Sequence, residues 1–463
     1  MSNSFPKNKF LEGIFEPCQS EYNLDNLNVI GKIPSELNGT FYRNGPNPQY
    51  VYSKNYHMYE GDGMIHAVSF HNKQVTYQNR WIRTERFLAQ QAAGKALFGG
   101  MRDRMVRDEH AGDCSHNTAN TNVVWHHGQL LALNEGGLPL VVEPSTLATL
   151  AFTDFEPKLD RSMMAHPKID PITGEIIFYS YLSPTMDFIY FIADAKGNIT
   201  HKEKLNLPFL SLMHDFAITE HFTIIPIFPL TLNFARFMQG GSIFKWEPEC
   251  GTHFAILPRH GKNEDIIYFN DASCLGMHTV NAYEQGDELI LDMVVMHDIP
   301  EGAEAFVDDE LSIPGYLTRW IFNLKTKQMG MEKLDIMNME FPRIDERFTG
   351  LPYQHSYLAS SYHLKQPYYL FDSITHFDAA SKTKAVHYLG EDAVPLEPIF
   401  VAKSPEAKEG EGFLLFYVYR KKEQRSDLMI LDAQNVAGEA LAVIQFPHRV
   451  PFGFHGCWVQ ANK

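Results

Sequence analysis

The stretch Asn122-Val-Val-Trp-His-His-Gly-Gln-Leu-Leu-Ala-Leu133 sets two apolar runs on either side of the tip His127-Gly128, which reads as a β-hairpin. From about residue 120 onward the chain repeats this plan, with short apolar strands separated by turn signals at the spacing of an all-β meander. A second device recurs between strands, an acidic or amide residue followed by turn formers. It stands at Glu143-Pro-Ser-Thr146, Asp170-Pro-Ile-Thr-Gly174, Asp194-Ala-Lys-Gly197, Asn323-Leu-Lys-Thr326, Asp378-Ala-Ala-Ser381 and Asp432-Ala-Gln-Asn435. Asp and Asn side chains fold back onto their own backbone and so start turns. Many such hairpins without a linker point to an all-β propeller, and the repeat is too degenerate to fix the number of blades. The exception is 84–98, where Phe87, Leu88, Gln91, Ala92 and Leu97 mix an apolar face with polar positions and predict a helix ended by Gly99-Gly100.

The 463 residues are 44% hydrophobic and 13% aromatic, ample for a large core, and the absence of a linker predicts a single domain over 1–463. A formal net charge of −16 with no basic run argues against a nucleic-acid partner. No stretch of about 18 apolar residues predicts a transmembrane helix. The opening residues carry no apolar segment before Glu12 and Glu16, so no secretory signal is expected and the protein is expected in the cytoplasm. Five scattered cysteines without a C-x-x-C pair read as reduced, mostly buried thiols. Two loops read as exposed, an acidic one over 301–314 and a Glu/Lys/Gly-rich one over 403–411.

Four histidines open four separate apolar stretches: Ala165-His166-Pro167, Met213-His214-Asp215-Phe216, Met277-His278-Thr279-Val280 and Phe454-His455-Gly456. One such histidine is most often a hydrogen-bonding residue of the scaffold, so the case for a metal rests on the set. In a propeller, residues from different blades converge without close spacing in sequence. Four neutral imidazoles would leave the full charge on a divalent ion such as iron(II). Ligating imidazoles usually donate their other N–H to a carboxylate or carbonyl. Glu135, Glu340 and Glu397 stand in apolar or small-residue surroundings, where a buried carboxylate needs a partner; from the residues alone, a surface loop remains the better reading of each.

Longer stretches carry a resemblance. Phe41-Tyr-Arg-Asn-Gly-Pro-Asn-Pro48, Glu60-Gly-Asp-Gly-Met-Ile-His66, Asn120-Thr-Asn-Val-Val-Trp125, Met277-His-Thr-Val-Asn-Ala-Tyr-Glu284, Glu340-Phe-Pro-Arg343 and Pro447-His-Arg-Val-Pro-Phe-Gly-Phe-His-Gly456 resemble the carotenoid cleavage oxygenases, over nearly the whole chain. That family includes lignostilbene dioxygenases and the retinoid isomerohydrolase of the eye. The resemblance implies a seven-bladed β-propeller with a few helices and loops capping the iron-bearing face, and one iron(II) per chain. Position by position, it puts the iron on His166, His214, His278 and His455, with Glu135, Glu340 and Glu397 as carboxylate partners and His166 as the ligand without one. Thr121 falls where many members place a residue beside the open coordination position, and Tyr59 where the family offers an aromatic wall to substrate. His57 and His66 are read as structural or tunnel-lining, His126 and His127 as a hairpin tip, and Arg43 as a buried ion-pair anchor.

The activity so implied is cleavage of a conjugated C=C bond by dioxygen, giving two carbonyl compounds. The alkene supplies the electrons, and the chain has no dinucleotide fingerprint or P-loop, so no nucleotide or flavin is expected. Gly240-Gly-Ser-Ile-Phe-Lys-Trp246 and Leu257-Pro-Arg259 are similar to lignostilbene-cleaving members. Those enzymes engage a 4-hydroxyl group with a tyrosine and a lysine that precedes the partner glutamate. Asn134 stands in that place here, and a neutral amide cannot stabilise a phenolate as an ammonium does. The expected substrate is therefore an apolar polyene, a carotenoid or apocarotenoid, with a stilbene as the alternative. The apolar run 224–237 is read either as core or as a tunnel rim in peripheral contact with a membrane. A retinoid-ester isomerohydrolase and a non-catalytic binding propeller complete the alternatives.

Overall fold

The structure, a computed structural model, describes residues 5–461 apart from 102–105, 153, 154, 156–158, 160, 183, 184, 240, 301–312 and 364–369. The regular structure of the described residues is overwhelmingly β, with two short α-helices, α1 (Glu85–Ala93) and α2 (Phe234–Met238). Seven principal sheets form the blades of a seven-bladed β-propeller. The chain divides into two compact units, 1–165 with 389–463, and 166–388.

The first unit holds three blades. One consists of Asn122–His126, Gln129–Leu133, Leu140–Val142 and Thr149–Phe152. The other two join the ends of the chain: Gly456–Gln460 pairs with Gly39–Pro46, and Asn28–Gly31 pairs with Ala442–Gln445. The second unit holds four blades of four strands each, beginning with Lys168–Ile169, Ala217–Ile218, Leu275–Gln285 and Asn338–Ile344. In its first blade, Ile176–Ser180 and Phe188–Ala193 are buried at every residue, because both faces of an inner strand are covered. The outer strand Ile199–Leu205 instead exposes Thr200, Lys202 and Lys204, with His201 and Glu203 half-buried between buried ends. Each large apolar side chain so buried contributes about 1.5–3 kcal/mol.

The turn-forming residues behave as their chemistry dictates. Asp170, Asp194, Asn323, Asp378 and Asp432 each accept a bond on Oδ1 from a backbone N–H two or three residues on, at 2.7–3.2 Å. His127 is a hairpin tip at φ 40°. The cysteines are free, with Cys18, Cys274 and Cys457 buried.

Two expectations are corrected. Helix α1 stops at Ala93, short of Gly99-Gly100, because Gly94 caps it in the left-handed region at φ 67°. Its buried face is Arg86, Phe87 and Gln90, while Leu88 is exposed. Arg43 is fully buried, as expected, but no carboxylate ion pair reaches it among the described residues. Its Nη2 donates to the Pro451 carbonyl at 2.8 Å, and its guanidinium lies 4.9 Å from the Tyr417 ring centroid. Within 224–237, residues 224–232 are buried on the strands Phe222–Ile227 and Leu230–Leu232 and their connection, so the core reading holds there. Exposed apolar groups enter only with α2, at Phe234 and Met238. No described helix is long and apolar enough to cross a membrane. In the loop 403–411 residues 404–406 and 408 are exposed, Gly410 is buried and the others are half-buried, and 301–312 lie outside the described residues.

Candidate metal centre

Each of the four histidines stands at or near the start of an edge strand of its sheet. His166 precedes Lys168–Ile169, His214 precedes Ala217–Ile218, and His455 precedes Gly456–Gln460. His278 lies inside Leu275–Gln285, where the pairing register shifts on both sides of Thr279. Such irregularities free a side chain from the pleat and re-aim it. The Tyr179 hydroxyl donates to the Met213 carbonyl at 2.9 Å, fixing the backbone just before His214. His455 N–H donates to the Thr121 carbonyl at 3.3 Å. Beyond it the backbone runs so close to Tyr42 that a Cβ at Gly456 would lie 2.2 Å from the Tyr42 carbonyl oxygen, so only glycine fits.

The ligand nitrogens of His166, His214, His278 and His455 all lie within 4.8 Å of one another, with His214 half-buried and the others buried. The rings of His166 and His214 are 4.4 Å apart between centroids, and each is 5.0 Å from His278. His278 Nδ1 is 2.6 Å from Glu340 Oε2, and His455 Nδ1 is 2.8 Å from Glu397 Oε1. A carboxylate on Nδ1 draws the proton there and leaves Nε2 as a lone-pair donor. His214 Nε2 and His278 Nε2 face each other at 3.1 Å. For a first-row cation about 2.1 Å from imidazole nitrogens, adjacent octahedral positions lie about 3.0 Å apart. Neutral, convergent imidazoles at this spacing fit a divalent non-haem metal.

The carboxylates are aimed by local irregularity. The strand Asn338–Ile344 loses register between Glu340 and Arg343, and Phe341 adopts φ 53°, a conformation rare for a bulky residue. The bulge turns Glu340 toward His278, and the Phe341 ring stacks over that imidazole at 5.6 Å. Glu397 is buried between Ala393–Pro395 and Ile399–Ala402, and its second oxygen accepts from Gly456 N–H at 3.0 Å. Glu135 is half-buried on the turn after Gln129–Leu133.

Thr121 immediately precedes the strand Asn122–His126, and its hydroxyl donates to Asn120 Oδ1 at 3.2 Å. Asn134 Nδ2 donates to Thr118 Oγ1 at 2.9 Å and to Asn120 Oδ1 at 3.2 Å, and its Oδ1 accepts from Gly136 N–H. The Asn120 amide donates to the carbonyls of Tyr59 and Gly61, so it ties the Tyr59 turn to Thr121. Tyr59 packs at 5.5 Å from Phe454 and 4.7 Å from His57. His66 is buried and bonded to Tyr77, which suits its structural reading. Sequence reading passed over Asn120 and the trio Lys168, Asp215 and Thr279. The trio had a signal: each stands one or two residues after a metal-type histidine, and Asp215 is a carboxylate in an apolar stretch that needs a partner.

The family model described as retinal pigment epithelial membrane protein matches residues 15–460. The chain is 34% identical to an isoeugenol monooxygenase of Pseudomonas nitroreducens, covering 97% of both chains. It is 31% identical to the carotenoid 9,10(9′,10′)-cleavage dioxygenase 1 of Arabidopsis thaliana, covering 98% of this chain and 90% of the relative. The crystal structure of a Pseudomonas brassicacearum lignostilbene dioxygenase superposes with a TM-score of 0.93 at 30% identity, covering 99% of this chain and all of the other.

Proposed function

Because the chain belongs to the retinal pigment epithelial membrane protein family, that of the carotenoid cleavage oxygenases, we propose that it uses one iron(II) per chain and dioxygen to split a conjugated C=C bond into two carbonyl compounds. The observation that carries this reading is the convergence of His166, His214, His278 and His455, with Glu340 and Glu397 behind two of them. Iron(II) held by neutral nitrogens supplies Lewis acidity and one-electron chemistry toward dioxygen. Cleaving the alkene to two carbonyls releases the four electrons that dioxygen takes up, so no reductant is needed.

The residues around the histidines have distinct tasks. Glu340 and Glu397 hold the tautomer and orientation of His278 and His455, and Glu135 is assigned the same task for a third imidazole. Thr121 spends its hydroxyl on Asn120, which leaves its methyl as the group that limits access of water or dioxygen to the metal. Tyr59, packed against Phe454, offers an apolar wall to an alkene.

For the substrate we favour a carotenoid or apocarotenoid. Both donors of the Asn134 amide are committed to protein acceptors, so it has neither the charge nor a spare proton with which to bind a phenolate. A second reading, an aryl alkene such as a stilbene or isoeugenol, draws on the names of the Pseudomonas relatives; identities of 34% and 31% are too close to choose between them. Aerobic incubation of the iron-loaded protein with apocarotenals, resveratrol and isoeugenol, with mass identification of both fragments, decides. Aldehydes from apocarotenals alone support the first reading, and aldehydes from phenolic alkenes alone replace it with the second. Product formed without oxygen consumption overturns both.

A further inference from the structure

We propose that Lys168, Asp215 and Thr279 form a positioning network that sets the spacing of His166, His214 and His278, and with it the affinity and symmetry of the metal they hold; this rests on the iron reading above. Lys168 follows His166 by two residues, while Asp215 and Thr279 directly follow His214 and His278. At about 3.3–3.6 Å of chain per residue, an anchor on each fixes the neighbouring histidine backbone. The three come from the leading ends of three blades, and every bond that joins them involves at least one of their side chains.

Asp215 is the hub. Its Oδ1 accepts from Lys168 Nζ at 2.7 Å and from Phe216 N–H at 2.8 Å. Its Oδ2 lies 2.8 Å from both the N–H and the hydroxyl of Thr279. Thr279 Oγ1 in turn accepts from Lys168 Nζ at 3.2 Å, which closes the ring. The side chain of Asp215 is only 2% exposed, and a carboxylate there needs all of these partners. A well-packed apolar trio would stabilise the fold as well as a buried ion pair does, so stability does not explain the arrangement. Directional bonds between three blade ends do something apolar packing cannot, which is to fix relative positions.

The test uses the full chain, loaded anaerobically with iron(II), as wild type, Thr279→Val, Thr279→Ser and the double variant Lys168→Met/Asp215→Asn, which leaves no lone buried charge. Iron affinity is measured by chelator competition, coordination symmetry by the electron paramagnetic resonance of the nitrosyl adduct, and folding by the melting temperature without iron. Thr279→Val and the double variant are expected to bind iron about 10–100-fold more weakly, with a changed nitrosyl spectrum, as loss of a supporting bond does at other metal sites. Thr279→Ser, which keeps the hydroxyl, restores both. Affinity within about twofold of wild type together with an unchanged spectrum in Thr279→Val and the double variant overturns the network, whatever happens to the melting temperature. Wild type that takes up no iron overturns the iron reading and this inference with it.

Discussion

His278 and His455 each donate the Nδ1–H in a hydrogen bond to a carboxylate, and the energetic weight of the two pairs differs. Glu397 is buried and bound to both the ring and the backbone of the His455-Gly456 segment, whereas Glu340 is partly exposed. Glu397→Gln is therefore expected to weaken iron binding more than Glu340→Gln, each within about 10–100-fold, as read by chelator competition. Equal affinities for the two variants and wild type would remove the carboxylates from the account. Thr121→Ser, which deletes the methyl and keeps the hydroxyl bonded to Asn120, is expected to change solvent occupancy at the metal and raise oxygen consumed per bond cleaved; unchanged spectroscopy and stoichiometry would end that role. The histidines were legible as a set because each opens an apolar stretch. The glutamates became legible only through the family resemblance, since a lone Glu near small residues is usually solvated. The Lys168–Asp215–Thr279 ring was not legible, because its bonds join residues 64 and 111 positions apart and no local pattern encodes them.

Among elements, hairpins were readable and irregularities were not. Asp and Asn start turns by local chemistry, so the outer connections of the blades could be placed from sequence. The bulge at Phe341 depends on what its neighbours across the sheet require, and α1 ends at Gly94 through a cap conformation that its helical pattern did not reveal. A further device ties strands in the second unit. Arg319 donates twice to the fully buried Asp292 at 2.7 Å, and the Tyr353 hydroxyl donates to the same carboxylate at 2.5 Å. Burial lowers Arg319, but the bonds and charge of Asp292 outweigh it and push the guanidinium above its ordinary range. Asp292→Ala leaves a buried cation and hydroxyl without their acceptor and is expected to destabilise the protein by about 3–5 kcal/mol, measured by denaturant unfolding. A change under about 1 kcal/mol would mean that water replaces the carboxylate.

For the whole molecule, fold class and reaction class were written in the sequence, while the substrate was not: the proposed choice rests on the hydrogen bonds of Asn134, whose partners Thr118 and Asn120 no local pattern reveals. Stability should depend on pH through two buried-side histidines. Burial, with Arg449 beside it, lowers His448 from 6.5 to about 4, and burial with His355 does the same for His376. In the unfolded chain both take up a proton near 6.5, so the stability they contribute is complete above that pH and is lost as pH falls toward 4. The melting temperature of the iron-free protein is expected to fall across that window, and His448→Gln and His376→Gln should flatten the slope; a slope the variants leave unaltered would assign it elsewhere.

Whether four histidines hold a catalytic iron is decided by metal analysis of the full chain purified under iron-replete conditions beside His278→Ala. The wild type is expected to hold about one iron per chain, and a folded His278→Ala protein almost none. Wild-type protein without stoichiometric iron, in which none can be restored, would contradict the iron reading.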